Sequence, residues 1–330
     1  MTAFAQTHSL VGRRRRPLRC TSVGQPEIDA PWWFAADQPW WAKLRRAHKH
    51  LGELRQAVRE FERAKPWRVE AEPDRESAET AYRLHIDRPV PVDLAAIFGD
   101  VVHNLRSALD SVAYGMACQH VGRHLTDDEE RATSFPIVPN AEDFEAFFDR
   151  PIRRKNDPPV HSLYSEWQIK GFRSVQSFSF EEEARDVGVD VSRSESDAYE
   201  HHVPHRLNVM WNVDKHRRLP RLAWCLPGGG VYWGLPSGSE VTWRSAVAIP
   251  GPVCDGDLLG YLRMIAGPEV EPIFELRVSL ADDPNVYGEA VTELVNEWHR
   301  SVGDWVVPRI FTAADTGTPP ILIPTGWPCR

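Results

Sequence analysis

The chain has few cysteines, and no two of them have the sequence spacing that is typical of a metal-binding or redox-active pair. Its 330 residues include five cysteines, which are scattered and never form a CxxC pair. Neither a zinc knuckle nor a thioredoxin-like centre is therefore indicated. A sparse, odd set of cysteines is typical of a reducing compartment, so we expect a cytoplasmic protein.

Long apolar runs are also missing. A helix needs a run of about 18 apolar residues to cross a bilayer, and the sequence has none. We therefore expect no membrane contact through a spanning segment. The basic run at residues 13–16 is not followed by an apolar stretch, which argues against a secretory signal.

Positive charge is in deficit. The chain carries 39 Lys and Arg against 47 Asp and Glu, a formal net charge of −8, which argues against a general nucleic-acid coat but permits a local basic patch. Hydrophobic residues at 42% and charged residues at 26% are ordinary for a soluble globular protein. The length allows one large domain or two small ones.

Recognisable catalytic signatures are absent. The sequence has no GxSxG, no HExxH, no GxGxxG after a predicted strand, no RNP motif and no internal repeat. It also indicates no cofactor. Function must therefore be sought in local concentrations of acid, base and imidazole.

One such concentration lies on a predicted amphipathic helix at residues 93–120, with Asp93 as its N-cap. Apolar residues recur at helical spacing along one side. The other side carries polar residues: Asp100, His103, Asn104, Arg106, Ser107, Asp110 and Tyr114. Arg106 and Asp110 are four residues apart and can form an ion pair within the helix.

A second concentration follows at residues 205–218. Leu207, Met210, Trp211 and Asp214 share one helical face, which places a carboxylate on an apolar stripe. A buried carboxylate needs a partner, because an unpaired charge is costly to bury. We therefore predict that Asp214 meets Arg106 and His103 of the first helix, in a cleft or a buried network.

The pattern of the whole chain predicts an α+β fold. We expect a disordered segment at residues 1–36, a helical bundle with a small β-hairpin at 37–219, a mainly antiparallel sheet and a closing helix at 220–312, and an extended tail at 313–330. Helices are expected near residues 40–65, 141–148, 164–178 and 288–310. Strands are expected at residues 222–226, 231–234, 240–246, 258–264 and 273–280.

Two further clusters could bind ions. The loop at residues 150–155 forms the best anion-binding patch, with Arg150, Arg153, Arg154 and Lys155. His201, His202 and His205 suggest metal, but Pro204 interrupts them and their spacing does not place all three on one helical face. A metal site, if present, would use ligands from the two main concentrations: Asp100, His103, Asp110, Asp214 and His216.

Three motifs carry a family resemblance: GDVVHNLRSALD at residues 99–110, SFPI at 134–137 and NVDKHR at 212–217. The chain resembles a widespread group of bacterial, often actinobacterial, proteins with the pattern GDxxHNLRSALDH, then FPI, then NxDKHR. The resemblance covers about residues 40–310, and it implies no particular activity.

A more distant resemblance concerns the same helix. The family's RSALDH is an R-x4-H arrangement, similar to the signature of HEPN domains, many of which are metal-independent ribonucleases. There the arginine steadies phosphate and the histidine transfers a proton. In this sequence the arginine is Arg106, but Ser111 stands at the histidine position, so His103 or His216 would have to replace it.

Three functions remain open. We favour a non-enzymatic binding or assembly protein, in which the polar cluster is structural. The first alternative is a HEPN-like ribonuclease or nucleotide-acting enzyme, with RNA or a nucleotide as its ligand. The second is a metal-dependent hydrolase. A homo-oligomer is compatible with each. The catalytic candidates are His103, Arg106, Asp110, Asp214, His216 and Arg217.

Overall fold

A computed structural model describes residues 37–74, 76–186, 202–215, 218–228, 231–233, 239–268 and 270–312, without the side chains of residues 181, 184–186 and 233. The predicted N-terminal segment and C-terminal tail lie outside these ranges. So do three residues singled out from the sequence: His201, His216 and Arg217.

The fold is α+β, as the sequence predicts. The α-helices of the described chain are α1 (Pro39–Arg63), α2 (Val92–Val121), α3 (Asp127–Ala132), α4 (Ala141–Asp149), α5 (Glu166–Ser174), α6 (Ser177–Asp186), α7 (Val203–Lys215), α8 (Val291–Arg300) and α9 (Val307–Thr312). Short 3-10 turns cover Val160–Leu163 and Pro284–Val286, and a π-helical segment, Ser301–Val306, joins α8 to α9. No helix within the described ranges combines the length and the apolar character needed to cross a membrane.

The core is built on the pairing of α1 with α2. Apolar residues of α1 recur every three or four positions and are fully buried, including Trp40, Leu44 and Leu51. Gly115 of α2 allows the close approach, because a Cβ there would lie 2.8 Å from the ring of Trp40. Helix α2 then ends at Gly122, whose φ of 74° provides the left-handed cap.

Helix α2 begins slightly earlier than predicted, and Asp93 is not its N-cap. Pro91 occupies the N-cap position, with an extended backbone at φ −63° and ψ 137°, and Asp93 lies in the first turn. A carboxylate there still interacts favourably with the positive end of the helix dipole. The predicted role as a cap is therefore wrong, whereas the predicted helix is confirmed.

The strands are β1 (Trp67–Asp74), β2 (Glu79–Ile86), β3 (Leu222–Leu226), β4 (Val231–Trp233), β5 (Glu240–Ser245), β6 (Gly251–Pro252), β7 (Leu258–Ala266), β8 (Pro272–Phe274) and β9 (Arg277–Leu280). All described pairs are antiparallel and form sheets of order β1-β2-β7-β5, β6-β3-β9 and β4-β8. The predicted hairpin is confirmed as β1–β2. It pairs with β7, so one sheet joins the two halves of the chain.

Two predicted elements are each divided in the structure. The expected strand at residues 273–280 forms β8 and β9, which belong to different sheets. The expected helix at residues 164–178 breaks between α5 and α6, at Val175 and Gln176. The side chain of Gln176 is engaged with the backbone of a neighbouring segment, and this tertiary contact overrides the apparent continuity of the helical pattern.

The closing helix packs against α1 and α2, and it begins at Val291 rather than at residue 288. It is interrupted by the π-helical segment and continues as α9. Helix α9 contacts α5 so closely that a Cβ on Gly171 would overlap the backbone oxygen of Ile310. Trp298 of α8 is fully buried beside Phe98 of α2. The C-terminal helices therefore complete the core formed by α1 and α2.

Candidate functional site

Arg106 is the centre of the candidate site. Its side chain lies on α2 and faces α7 and the segment at residues 134–137, and the residue is only 6% exposed. Nη1 donates to Oδ1 of Asp110 at 2.5 Å, and Nη2 donates to the carbonyl oxygen of Phe135 at 3.3 Å. Nε donates to Oδ1 of Asn208 at 3.4 Å. Each nitrogen of the guanidinium therefore has an acceptor.

Trp211 completes this group. The guanidinium carbon of Arg106 lies 5.5 Å from the centroid of the Trp211 ring, a cation–π distance, and Nζ of Lys215 lies 4.6 Å from the same ring. We call Arg106, Asp110, Phe135, Asn208 and Trp211 the Arg106 cluster. It connects α2, α7 and residues 135–137, which we call the FPI segment, through one buried charge.

Asp110 accepts two hydrogen bonds in the Arg106 cluster. The same Oδ1 that accepts from Arg106 also accepts the backbone N–H of Phe135 at 3.0 Å. Burial lowers the pKa of Arg106, and the neighbouring Asp110 carboxylate opposes that shift. The internal i,i+4 ion pair predicted from the sequence is therefore present, and it also fixes the FPI segment.

Asp214 does not have the partners predicted for it. Neither Arg106 nor His103 forms an ion pair with it, because Arg106 is held by Asp110 and His103 is exposed. The Asp214 side chain lies against Gly99, where an added Cβ would be 2.9 Å from its Oδ1. Leu207 and Met210 of the predicted face are buried, whereas Trp211 and Asp214 are half-buried. The nearer carboxylate on α2 takes the arginine.

The other polar residues of α2 are dispersed around the helix. Ser111 donates its hydroxyl to the carbonyl oxygen of Ser107 at 2.7 Å. Nε2 of exposed His103 is 3.5 Å from the Ser107 hydroxyl. Asn104 is buried and donates to the carbonyl of Asp100, whose own side chain is exposed. The single polar stripe predicted for this helix is therefore split between core and solvent.

The metal-ligand candidates do not converge in the described part of the chain. No group of three or more His, Cys, Asp or Glu side chains within it is arranged to hold a metal ion. His216, one of the five candidates, lies outside that part. The described candidates Asp100, His103, Asp110 and Asp214 therefore do not form such a group among themselves.

The predicted anion-binding loop is partly occupied by the protein itself. Arg150 stacks over Phe147 at 4.0 Å and donates to the carbonyl of Ala132. Arg153 forms an ion pair with Asp128 at 2.8 Å. The two remaining cations, Arg154 and Lys155, are exposed and have no ion pair with a described residue. Half of the predicted patch is thus available to an external anion.

His202, immediately before α7, has a structural contact. Nε2 of His202 is 2.9 Å from the carbonyl oxygen of Val175, so we assign it as the donor. Burial lowers the pKa of His202 to about 4. An imidazole that donates one nitrogen to the backbone and resists protonation is suited to a packed interior.

Some residues important to this region were not predicted from the sequence. Oδ1 of Asn208 accepts a hydrogen bond from Nε of Arg106. The sequence could have indicated Asn208, because it lies three residues before Trp211 on the same side of the helix. Gln176 donates to the carbonyls of Pro136 and Phe172 and accepts from the N–H of Val138. No local pattern distinguishes Gln176 from a surface glutamine.

Comparison of the chain with protein-family models, with curated proteins and with solved structures finds no match.

Proposed function

We propose that this is a non-enzymatic binding or assembly protein in which the Arg106 cluster is a structural connection. One observation supports this most directly: the guanidinium is buried and every one of its nitrogens already has a protein acceptor. These bonds use three of the five N–H groups of the guanidinium, and the residue is only 6% exposed, so a phosphate could reach Arg106 only by opening the contacts around it. Breaking such contacts leaves buried polar groups unpaired, at a cost of about 1–3 kcal/mol for each group.

The same geometry disfavours HEPN-like chemistry. That chemistry needs a cation facing the phosphate and an imidazole beside the attacked bond. Ser111 stands where the family pattern has histidine, and its hydroxyl is bound within its own helix. The exposed His103 imidazole has the Ser107 hydroxyl as its nearest polar contact within the described ranges. Neither arrangement presents an acid–base pair around Arg106.

A comparison of two arginines tests the structural role. Arg106→Ala is expected to lower the free energy of unfolding by about 3 kcal/mol, because it leaves Asp110, the half-buried Asn208 and the buried carbonyl of Phe135 without their donor. Arg131 provides the control, since it pairs with Asp128 at 3.1 Å and with Asp127, four residues away, at 4.0 Å, but at the surface. Arg131→Ala should change the stability by less than about 0.5 kcal/mol. Equal effects in urea unfolding would contradict the proposal.

Activity assays test the alternatives directly. Single-stranded RNA should stay intact with the wild-type protein and with Ser111→His, with or without chelator. Cleavage that persists in chelator and is increased in Ser111→His would establish the ribonuclease instead. Metal analysis of the purified protein tests the hydrolase, with His103→Ala as the comparison. If the wild type holds stoichiometric metal and this variant does not, the proposed binding function is overturned.

A further inference from the structure

An open cleft of about 810 Å³ lies away from the Arg106 cluster. Its walls are the C-terminal half of α1, the β4–β8 ribbon and the beginning of α8. Sites for small molecules in proteins occupy roughly 300–1,000 Å³, so the cleft has the size of a ligand site.

One wall of the cleft is cationic. It includes Arg55, Arg59 and Lys65, none of which forms a hydrogen bond or ion pair with another described side chain. The two arginines are four residues apart on α1 and therefore lie on the same face. Their guanidinium groups are available to an anion from outside the chain.

The carboxylates of the cleft only partly offset this charge. Glu275 is held by Arg277 at 2.7 Å, and Oε1 of Glu62 accepts the backbone N–H of Val278 at 3.0 Å. Burial raises the pKa of Glu62, which disfavours its charged form. Glu293 adds one carboxylate without an ion pair to a described residue. Positive charge is therefore in excess on the α1 wall.

The wall formed by the β4–β8 ribbon is apolar, because Tyr232, Ile273 and Phe274 line it. Tyr232 and Ile273 are directly opposite each other across the β4–β8 ribbon, so their side chains are on the same face. They are 45% and 62% exposed, which makes them two of the large hydrophobic residues that the described fold leaves open to solvent. Covering them with an apolar ligand would remove that surface from water.

We infer that this cleft binds a small amphiphilic anion, namely an organic phosphate monoester with an apolar body. Arg55 and Arg59 hold the phosphate, since guanidinium groups match the geometry of its oxygens, and the apolar body lies on Tyr232 and Ile273. The inference builds on the proposed binding function and gives it a ligand class. It needs no contribution from Arg106.

The first experiment separates the two halves of the ligand. 1-Naphthyl phosphate carries both a phosphate and an apolar body, whereas inorganic phosphate and 1-naphthol each carry one. Isothermal titration at low salt should show 1-naphthyl phosphate binding at least tenfold more tightly than either. No binding, or equal affinity for 1-naphthyl phosphate and 1-naphthol, would overturn the inference.

Variants then locate the site. The double variant Arg55→Gln/Arg59→Gln should lose at least tenfold in affinity for 1-naphthyl phosphate and keep the affinity for 1-naphthol. Arg46→Gln/Lys49→Gln is the control, because it removes two positive charges from the same helix outside the cleft and should bind like wild type.

An equal loss in both charge variants means non-specific attraction and overturns the site. Ile273→Ser should weaken the binding of both aromatic compounds, and an unchanged affinity would contradict the apolar wall. Far-ultraviolet circular dichroism confirms that each variant is folded. Failure at the cleft leaves the Arg106 and RNA experiments unaffected, so it is distinguishable from failure of the proposed function.

Discussion

At the scale of single residues, two helical glycines should respond in opposite ways to the same substitution. Gly171→Ala forces a Cβ onto the backbone oxygen of Ile310, which cannot rotate away as a flexible side chain could. We expect this change to lower the free energy of unfolding by about 2–3 kcal/mol, as overpacking commonly does. The measurement is urea unfolding at neutral pH.

Gly52→Ala is the matched control, because Gly52 lies inside α1 with open space around its Cα. Alanine there should stabilise the protein by about 0.5–1 kcal/mol, since glycine has the poorer helix propensity. If both alanine variants change stability in the same direction, the close contact between α5 and α9 is not the cause of the Gly171 effect.

Helical faces alone do not determine which charged groups pair. The sequence correctly placed Asp214 on the inner face of α7 and Arg106 within reach of Asp110. It could not decide which carboxylate would take the guanidinium, because that depends on the depth and rotation of two packed helices. The local i,i+4 pair formed, and Asp214 instead lies against Gly99.

At the scale of elements, Gln176 connects the break between α5 and α6 to the FPI segment. It is 1% exposed, and its amide satisfies the carbonyls of Pro136 and Phe172 and the N–H of Val138. Gln176→Ala leaves these backbone groups without a partner and should destabilise by about 3 kcal/mol. Urea unfolding measures the change.

Gln56 offers a comparison of the same residue type. It is exposed on α1 and donates only to Glu60, four residues away. Gln56→Ala should change the stability by less than about 0.5 kcal/mol. A small effect at both positions would show that water replaces the contacts of Gln176, so that these contacts do not cause the break between α5 and α6.

Elements with strong periodicity were predicted well, whereas their partners were not. The hairpin β1–β2 follows from two alternating runs close in sequence. Its pairing with β7 joins Thr80 to Leu262, and no local pattern encodes so distant a register. Similarly, the break between α5 and α6 at Gln176 results from a tertiary contact. The apolar pattern of residues 164–178 is continuous across that position and therefore does not indicate the break.

At the scale of the whole molecule, two imidazoles contact backbone carbonyls of other segments, and the one on α8 connects the C-terminal part of the core to α1. Nε2 of His299 on α8 is 3.3 Å from the carbonyl of Leu44 on α1, and His202 contacts the carbonyl of Val175. Burial lowers the pKa of each from its ordinary value of 6.5 to about 4. Neighbouring cations, including Arg55 and Arg300, act in the same direction on His299.

These pKa values determine the sign of the pH dependence. Well above pH 6.5 both histidines are neutral in the folded and unfolded states, so they contribute no slope to the stability there. Between pH 6.5 and 4 the two histidines are protonated in the unfolded chain but stay largely neutral in the folded chain. The free energy of unfolding therefore falls as pH falls. At pH 5.5 the two together should cost ~3 kcal/mol relative to pH 7.5.

Half-buried carboxyls contribute a slope of the opposite sign to the dependence of stability on pH, because burial raises the pKa of Glu62, Glu289 and Asp304. The histidine contribution is therefore measured as a difference between proteins. His202→Gln/His299→Gln keeps donors at both sites but cannot titrate, so urea unfolding from pH 7.5 to 4.5 should give it a shallower decline than wild type. Exposed His124→Gln should follow the wild-type curve. Parallel curves for the double variant and wild type would mean that the two imidazoles are protonated as readily in the fold as in the unfolded chain.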